Sequence, residues 1–179
     1  MCGQFRCGIR HRLFVAVSES TSAALQGLGV DADRIRIVPN GVDLPVRPTA
    51  ESAEPLFVAI GRLVPHKRYD TLLTAWDAVR SRVGGRLVIV GEGPEHARLA
   101  AAAGPGVELR GRVSEDEKQR LLGEAWMLLH PSMLEGWGLV VTEAAAAGTP
   151  AVGFDAPGVR DSIVDGETGV LARDASDFA

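Results

Sequence analysis

The stretch LFVAIGRLVPHKRYDTLLTAWDAVRSRVGGRLVIVG, residues 56–91, decides the fold class. It opens with LFVAI and closes with RLVIV, two short apolar runs that are typical of buried strands. Between these runs, the residues from Tyr69 to about Val83 are predicted to form a helix. A strand, a helix and a second strand in this order predict a βαβ unit, in which the two strands are parallel.

The same alternation continues toward the carboxyl end. Helices are predicted at about 94–103, 115–124, 139–147 and 159–164, and the apolar runs VELRG, WMLLHP, PAVGF and GVLA are predicted strands. We therefore predict an α/β fold with a mostly parallel sheet that is covered by helices on both faces. A sheet of this kind binds ligands beyond the carboxyl ends of its strands.

The residues before this region form a separate pattern. LFVAVS (13–18) and IRIVP (35–39) are predicted strands, and a helix capped by Ser20 is predicted between them. Residues 44–55 are rich in Pro, Ala, Ser and Glu and are the predicted linker. The chain is thus expected to contain a strand-helix-strand segment (1–43), the linker (44–55) and a ligand-binding domain (56–179).

Composition excludes several classes of protein. The chain has 179 residues, 46% of them apolar, which is enough for one well-buried core. A net charge of -4 leaves no broad basic surface for nucleic acid. Cys2 and Cys7 have no second Cys/His pair at zinc-finger spacing, so free thiols are expected. No transmembrane run or signal peptide is found, and a cytoplasmic protein is expected, with a peripheral position at the inner membrane face left open for a longer form.

A first candidate site follows the strand LFVAI. Gly61 and Arg62 come directly after it, and Lys67 lies five residues further on, just before a predicted helix. A guanidinium fork and an ammonium on one loop suit a diphosphate better than a single carboxylate. Solvated surface cations are the alternative.

A second cluster, PSMLEGWGLVVTEAAAAGTP (131–150), follows the run WMLLH. Gly136 and Gly138 bracket a predicted helix start, where free backbone N–H groups and the helix dipole favour an anion. Glu135 lies in the loop, and Glu143 lies in the helix, where its carboxylate can accept hydrogen bonds from vicinal hydroxyls such as those of a ribose. A solvated helix face is the alternative, but both clusters fall at the carboxyl ends of strands in one sheet.

Five motifs, in order, resemble the retaining glycosyltransferases of family four, which have two Rossmann-like domains in the arrangement called GT-B. The motifs are IRIVPNGVD, FVAIGRLVPHKRYDTLLTAW, VIVGEGPEHARL, LRGRVSEDE and PSMLEGWGLVVTEAAAAGTPAVG. The resemblance covers nearly the whole chain. It implies that residues 56–179 are the nucleotide-sugar-binding domain and that residues 1–43 are the end of the acceptor-binding domain.

The resemblance also assigns roles to single residues. It implies that Arg62 and Lys67 hold the donor diphosphate, that Glu135 faces the transferred sugar, and that Glu143 binds the ribose. Further donor contacts are implied for Gly61, Gly136, Gly138, Leu139 and Val140, with Arg112 and Val113 against the nucleobase and Gly91 and Gly93 giving the loop room. Three neighbouring residues are expected to take no part in donor binding or catalysis. Arg68, where many relatives have glycine, is expected to be a surface charge. His66 is expected to be a loop residue without a chemical role, and His130 is expected to be a hydrogen-bonded histidine at the edge of the sheet.

The implied function is hexosyl transfer from a nucleoside-diphosphate sugar to a sugar, lipid or small-molecule acceptor, with retention of configuration. No cofactor and no bridging metal are expected. Because the acceptor surface belongs to the other domain, this chain is expected to be an inactive fragment that still binds the donor. The nucleobase and the sugar are left open.

Other classes of protein share parts of this pattern. A dinucleotide-binding domain around VIVGEG lacks the third glycine of the fingerprint, since His96 stands in its place. A non-catalytic nucleotide or sugar-binding module of the same fold stays open, as does a phosphorolytic enzyme or an epimerase of the same architecture.

Overall fold

The computed structural model describes residues 12–44 and 50–179, which form two parallel sheets. Cys2, Cys7 and the middle of the predicted linker lie outside the described residues. The elements, in chain order, are β1 (Phe14–Ala16), α1 (Glu19–Gly27), β2 (Ile35–Ile37), β3 (Leu56–Ile60), α2 (Tyr69–Val83), β4 (Arg86–Val90), α3 (His96–Ala102), β5 (Val107–Gly111), α4 (Glu115–Glu124), β6 (Met127–His130), α5 (Leu139–Ala146), β7 (Ala151–Phe154) and β8 (Gly169–Ala172).

The larger sheet has six parallel strands in the order β5-β4-β3-β6-β7-β8. The predicted α/β, Rossmann-like fold is therefore confirmed. Along the chain, the sheet grows from β3 to β5 in one direction and then from β6 to β8 in the other. Loops that leave β3 and β6 diverge at this reversal, and the crevice between them is where such sheets bind ligands.

Burial of the central strands explains why this sheet forms. Leu56, Val58 and Leu87 have no exposed surface, as expected of strands that are covered on both faces. Helix α2 packs against the sheet through Trp76, whose ring lies edge-on to that of Phe57 at a centroid distance of 5.4 Å. The Trp76 indole N–H also donates to the carbonyl of Pro105 at 3.3 Å. Among residues 12–44 and 50–179, no helix is both long enough and apolar enough to cross a membrane.

The smaller sheet consists of β1 and β2, which pair with each other in parallel around α1. The prediction that Ser20 caps α1 was wrong. Ser18 is the cap, because its backbone is extended (φ -153°) and its hydroxyl accepts the N–H of Thr21 at 3.0 Å. The Ser20 N–H instead donates to the carboxylate of Asp161 at 3.2 Å, which ties α1 to the larger sheet's domain.

A second prediction, a short helix at 159–164, was also wrong. Residues 157–162 form turns, with single bonds such as Val159 N–H to the Ala156 carbonyl at 3.1 Å. Gly158, directly before the predicted helix, has φ +81°, and its N–H donates to the carboxylate of Asp161 at 3.0 Å. The carboxylate of Asp161 thus stabilises the turn in place of a helical ladder.

Arg68 lies directly before α2 and adopts a left-handed backbone conformation (φ 53°, ψ 36°). This conformation favours glycine over residues that have a Cβ atom. The side chain is exposed and contacts only Asp70 and Thr71 within the described part of the chain, as expected of a surface charge. We expect Arg68→Gly to be about 1 kcal/mol more stable to urea than Arg68→Ala, because alanine keeps the steric cost of the left-handed region.

Thr74 provides the control, because it is exposed in the interior of α2. There, the glycine variant should be about 1 kcal/mol less stable than the alanine variant. The same order at both positions would contradict the left-handed backbone at Arg68.

Candidate functional site

Three adjoining clefts lie beyond the carboxyl ends of β3 and β6. The central cleft, of about 420 Å³, is lined by Val17, Asn40, Ile60, Gly61, Lys67, Lys118, His130, Glu135, Gly136, Trp137, Gly138, Leu139, Val140 and Glu143. The side cleft, of about 470 Å³, is lined by Ile60, Gly61, Arg62, Val90, Gly91, Glu92, Gly93, Arg112, Val113, Ser114, Glu115 and Lys118. The outer cleft, of about 400 Å³, is lined by Gly41, Val42, Asp43, Glu115, Gln119, Leu139 and Glu143.

Every residue to which the resemblance assigned a donor contact lines the central or the side cleft. The two candidate cations face different clefts, since Arg62 lines the side cleft and Lys67 lines the central one. Ile60, Gly61 and Lys118 belong to both, so the two clefts adjoin. A ligand that spans them can contact both cations.

Glu135 stands between two nitrogen groups in the central cleft. Its carboxylate forms an ion pair with Lys67, and Nε2 of His130 lies 3.2 Å from Oε1. Burial raises the pKa of Glu135, but His130 and Lys67 outweigh burial and lower the pKa to about 2. Glu135 is therefore ionised at any physiological pH.

His130 differs from its expected role as a hydrogen-bonded histidine. The side chain is only 3% exposed, and its Nε2 has no well-aligned hydrogen-bond partner among the described residues. It points instead into the cleft beside Glu135 and Gly138. His66 keeps a backbone role, because its carbonyl accepts the N–H of Met133 at 3.5 Å.

Glu143 has a cationic partner that the sequence pattern did not identify. Lys118 Nζ lies 2.9 Å from Glu143 and 2.8 Å from Glu115. Burial lowers the pKa of Lys118, but its hydrogen bonds to the two carboxylates outweigh burial and raise it. The only signal in the sequence was the spacing of Glu115 and Lys118 on one helix, which is common on solvated surfaces.

Helix α5 begins at the bottom of the central cleft. Its N-cap, Gly138, has φ +86°, and no side chain from the described ranges caps the helix. Amide groups at such a start are free to bind an anion. Gly91 is required for a different reason, since a Cβ there would lie 1.9 Å from the carbonyl oxygen of Gly61.

The amino-terminal segment also reaches the site. Val17, which follows β1, and Asn40, which follows β2, line the central cleft. The Thr21 hydroxyl donates to the carbonyl of Gly136 at 3.3 Å, next to the start of α5. The sequence pattern assigned no site residue to this segment, because its contacts depend on how it packs against the larger sheet.

The described residues do not form a metal-binding cluster. In the part of the chain that the structure describes, no group of three His, Cys, Asp or Glu side chains could hold a metal ion. The sequence contains one Asp-x-Asp, Asp31-Ala32-Asp33, whose carboxylates are exposed in the turn before β2 and line none of the three clefts described above.

The ion pair of Glu135 makes a prediction about stability. Because its pKa falls from 4.5 to about 2 on folding, the ionised carboxylate stabilises the fold above about pH 5. The difference in free energy of unfolding between wild type and Glu135→Gln should be larger at about pH 5 than at lower pH. It should then shrink by on the order of 2 to 3 kcal/mol as the pH falls toward about 2.

Urea denaturation of both proteins across this pH range measures the difference, and contributions from the other carboxylates cancel in it. A difference that does not depend on pH would contradict the lowered pKa.

Two family models match the chain. Residues 54–179 match the model for Glycosyl transferases group 1, and residues 7–45 match the model for Glycosyltransferase Family 4. Among curated proteins, the D-inositol 3-phosphate glycosyltransferase of Nocardia farcinica is 31% identical and covers 90% of this chain. The GDP-mannose-dependent alpha-(1-6)-phosphatidylinositol monomannoside mannosyltransferase of Mycobacterium tuberculosis is 33% identical and also covers 90%. The chain spans 41% of the first and 46% of the second.

Solved structures share the architecture. A variant of TarM from S. aureus, in complex with fondaparinux, alpha-GlcNAc-glycerol and UDP, matches with a TM-score of 0.81 and 25% identity. The match covers 92% of this chain and 34% of TarM. Anabaena HepE, in complex with UDP and glucose, has a TM-score of 0.80 over 93% of this chain and 51% of HepE. Its identity is 20%, so this likeness concerns the fold alone. One family model matches well over half of the residues, and the chain therefore belongs to the group 1 glycosyl transferases.

Proposed function

We propose that this chain binds the donor of a retaining glycosyltransferase, a nucleoside-diphosphate sugar, across the central and side clefts. The observation that carries the proposal is the arrangement of charge. Four cations and four carboxylates line two adjoining clefts at the reversal of the strand order: Arg62, Lys67, Arg112 and Lys118, and Glu92, Glu115, Glu135 and Glu143. The UDP bound in the TarM complex supports a nucleotide ligand for this fold.

The diphosphate would lie where the two clefts join. Arg62 is exposed and forms no ion pair within residues 12–44 and 50–179, so its guanidinium fork is available for phosphate oxygens. Lys67 is paired with Glu135, but an ammonium has three donors and can bind a phosphate oxygen at the same time. The free amide groups at the start of α5 would add to the positive field.

Glu135 would face the transferred sugar as a carboxylate. A group with a pKa of about 2 does not donate a proton at neutral pH, so it is unsuited to be a general acid. It can accept hydrogen bonds from sugar hydroxyls and stabilise positive charge that develops at the anomeric carbon. We propose a front-face displacement with retention, in which the leaving diphosphate takes the acceptor proton while Arg62 and Lys67 stabilise it.

The remaining donor contacts follow the clefts outward. Glu143 would accept hydrogen bonds from the ribose hydroxyls, and the nucleobase would lie in the side cleft against Arg112 and Val113. Backbone groups from Gly136 to Val140 would contact the sugar or the diphosphate. The related proteins differ in their nucleotide, because one is named for GDP-mannose and TarM is in complex with UDP. The base that this chain prefers is therefore to be determined by binding measurements.

We also propose which parts of the chain belong to which domain. Residues 1–43 would belong to an acceptor domain, 44–55 would be the linker, and 56–179 would be the donor domain. The acceptor, a sugar, a lipid or a small molecule, would be held by the rest of that acceptor domain. Since positioning of the acceptor supplies much of the rate, this chain alone would bind the donor without useful turnover.

Binding tests the donor site directly. Thermal-shift and calorimetric titration with UDP, GDP, ADP and their glucose or mannose conjugates should show one preferred nucleotide. At a hundred times its dissociation constant, that nucleotide should stabilise the chain by about 2.7 kcal/mol. Arg62→Ala and Glu143→Ala should each weaken binding about tenfold or more, because each removes a charged hydrogen-bonding group.

Arg173→Ala is the matched control for Arg62, because Arg173 is exposed and pairs with Asp177 away from the clefts. It should leave binding unchanged. If a folded chain binds none of these nucleotides, the alternative of a binding module with another ligand would be favoured.

Donor binding should not depend on a divalent metal, because protein cations line the clefts and the chain's one Asp-x-Asp lies outside them. The dissociation constant of the preferred nucleotide should be the same in EDTA and in excess Mg²⁺ or Mn²⁺. Loss of binding in EDTA, with recovery on adding metal, would contradict metal independence.

A further inference from the structure

Lys118 occupies a position that the proposed donor contacts leave without a role. It projects from α4 and lines both the central and the side cleft. Its ammonium lies 2.9 Å from Glu143 and 2.8 Å from Glu115, and its side chain is 18% exposed. The ammonium is therefore held between two carboxylates from two different helices.

We propose that Lys118 is a positioning residue, which holds the carboxylate of Glu143 in the orientation that accepts the two vicinal hydroxyls of a nucleotide ribose. This inference rests on the proposed function, because it concerns the same donor site. Lys118 acts through Glu143 and is not itself assigned to the reacting atoms.

The hydrogen-bonding capacity of the two groups fits this role. A carboxylate has about four acceptor sites, and Lys118 approaches Oε1 of Glu143. The other sites of Glu143 stay free for two hydroxyl donors. Glu115 lies in the first turn of α4 and holds the same ammonium at 2.8 Å. A rotation of Glu143 away from the cleft would thus break a charge-assisted hydrogen bond.

Charge compensation supports the same assignment. The central cleft contains two carboxylates, although a diphosphate is to bind beside them. Lys67 compensates the charge of Glu135, and Lys118 compensates that of Glu143. Without Lys118, the bare carboxylate of Glu143 would repel the phosphates and would have no group to fix its orientation.

The test compares ribonucleotides with nucleotides that lack the ribose hydroxyls. Calorimetry of the full chain uses UDP, GDP and ADP, each beside its 2′,3′-dideoxy counterpart. Wild type should bind the preferred ribonucleotide more tightly than the dideoxy form. Lys118→Met should weaken the ribonucleotide about tenfold more than the dideoxy form, so that the preference collapses, because only the ribonucleotide uses the oriented carboxylate.

Arg120→Met is the matched control. Arg120 lies on the same helix and forms ion pairs with Glu117 and Glu124, but it lines none of the three clefts. Its substitution should leave the ribose preference unchanged. Glu115→Gln is a milder second variant, which keeps Lys118 and loosens its anchor. It should reduce the same preference by a smaller factor even if Lys118→Met folds poorly.

Three results would overturn the inference in distinguishable ways. Equal weakening of both nucleotide forms by Lys118→Met would mean that Lys118 contacts the phosphates or only supports the fold. Tighter binding of the ribonucleotide would mean that Lys118 competes with the ribose for Glu143. Failure of wild type to bind any of the nucleotides would contradict the proposed function itself, and the inference with it.

Discussion

The parallel pairing of β3 with β6 is the constraint on which the site depends. Phe57 and Val58 lie opposite Met127 and Leu128, and the strand order reverses at this pair. The two strands pair although α2, β4, α3, β5 and α4 all lie between them in the chain. Their loops consequently leave the sheet side by side and diverge, which opens the crevice that contains Lys67 and Glu135.

Two carboxylates in the crevice are paired with lysines before any ligand binds. Each cleft carboxylate that is assigned to the donor has a lysine partner, Lys67 for Glu135 and Lys118 for Glu143. Removing one partner would leave a partly buried charge without compensation, and such a loss is more costly than the pair is stabilising. This pairing also explains how a site with two carboxylates could accept a phosphorylated ligand. Arg62 forms no ion pair within the described residues and is thus available for the phosphates of the proposed donor.

The amino-terminal segment also contacts the larger sheet's domain and lines part of the central cleft. Its helix α1 presents the Ser20 N–H to Asp161 and the Thr21 hydroxyl to Gly136. Both partners lie close to loops that shape the central cleft. Val17 and Asn40 complete its wall, so the cleft is formed by two sheets and not by one.

The sequence by itself determined the fold class and the edge of the sheet that bears the site. Continuous apolar runs such as LFVAI require burial on both faces, and the carboxyl ends of parallel strands meet at one edge, so Arg62, Lys67, Glu135 and Glu143 could be placed there together. Tertiary structure alone decided which groups pair. Lys118 contacts Glu143, and His130 remains without an aligned partner among the residues that the structure describes, through packing between elements that are distant in the chain. The two wrong local predictions have local causes: Ser18 caps α1 in place of Ser20, and the hydrogen bond from Gly158 to Asp161 stabilises turns where a helix was predicted. Periodicity and turn signals report what one segment does, but the pairing of charges depends on distances that only the folded chain sets.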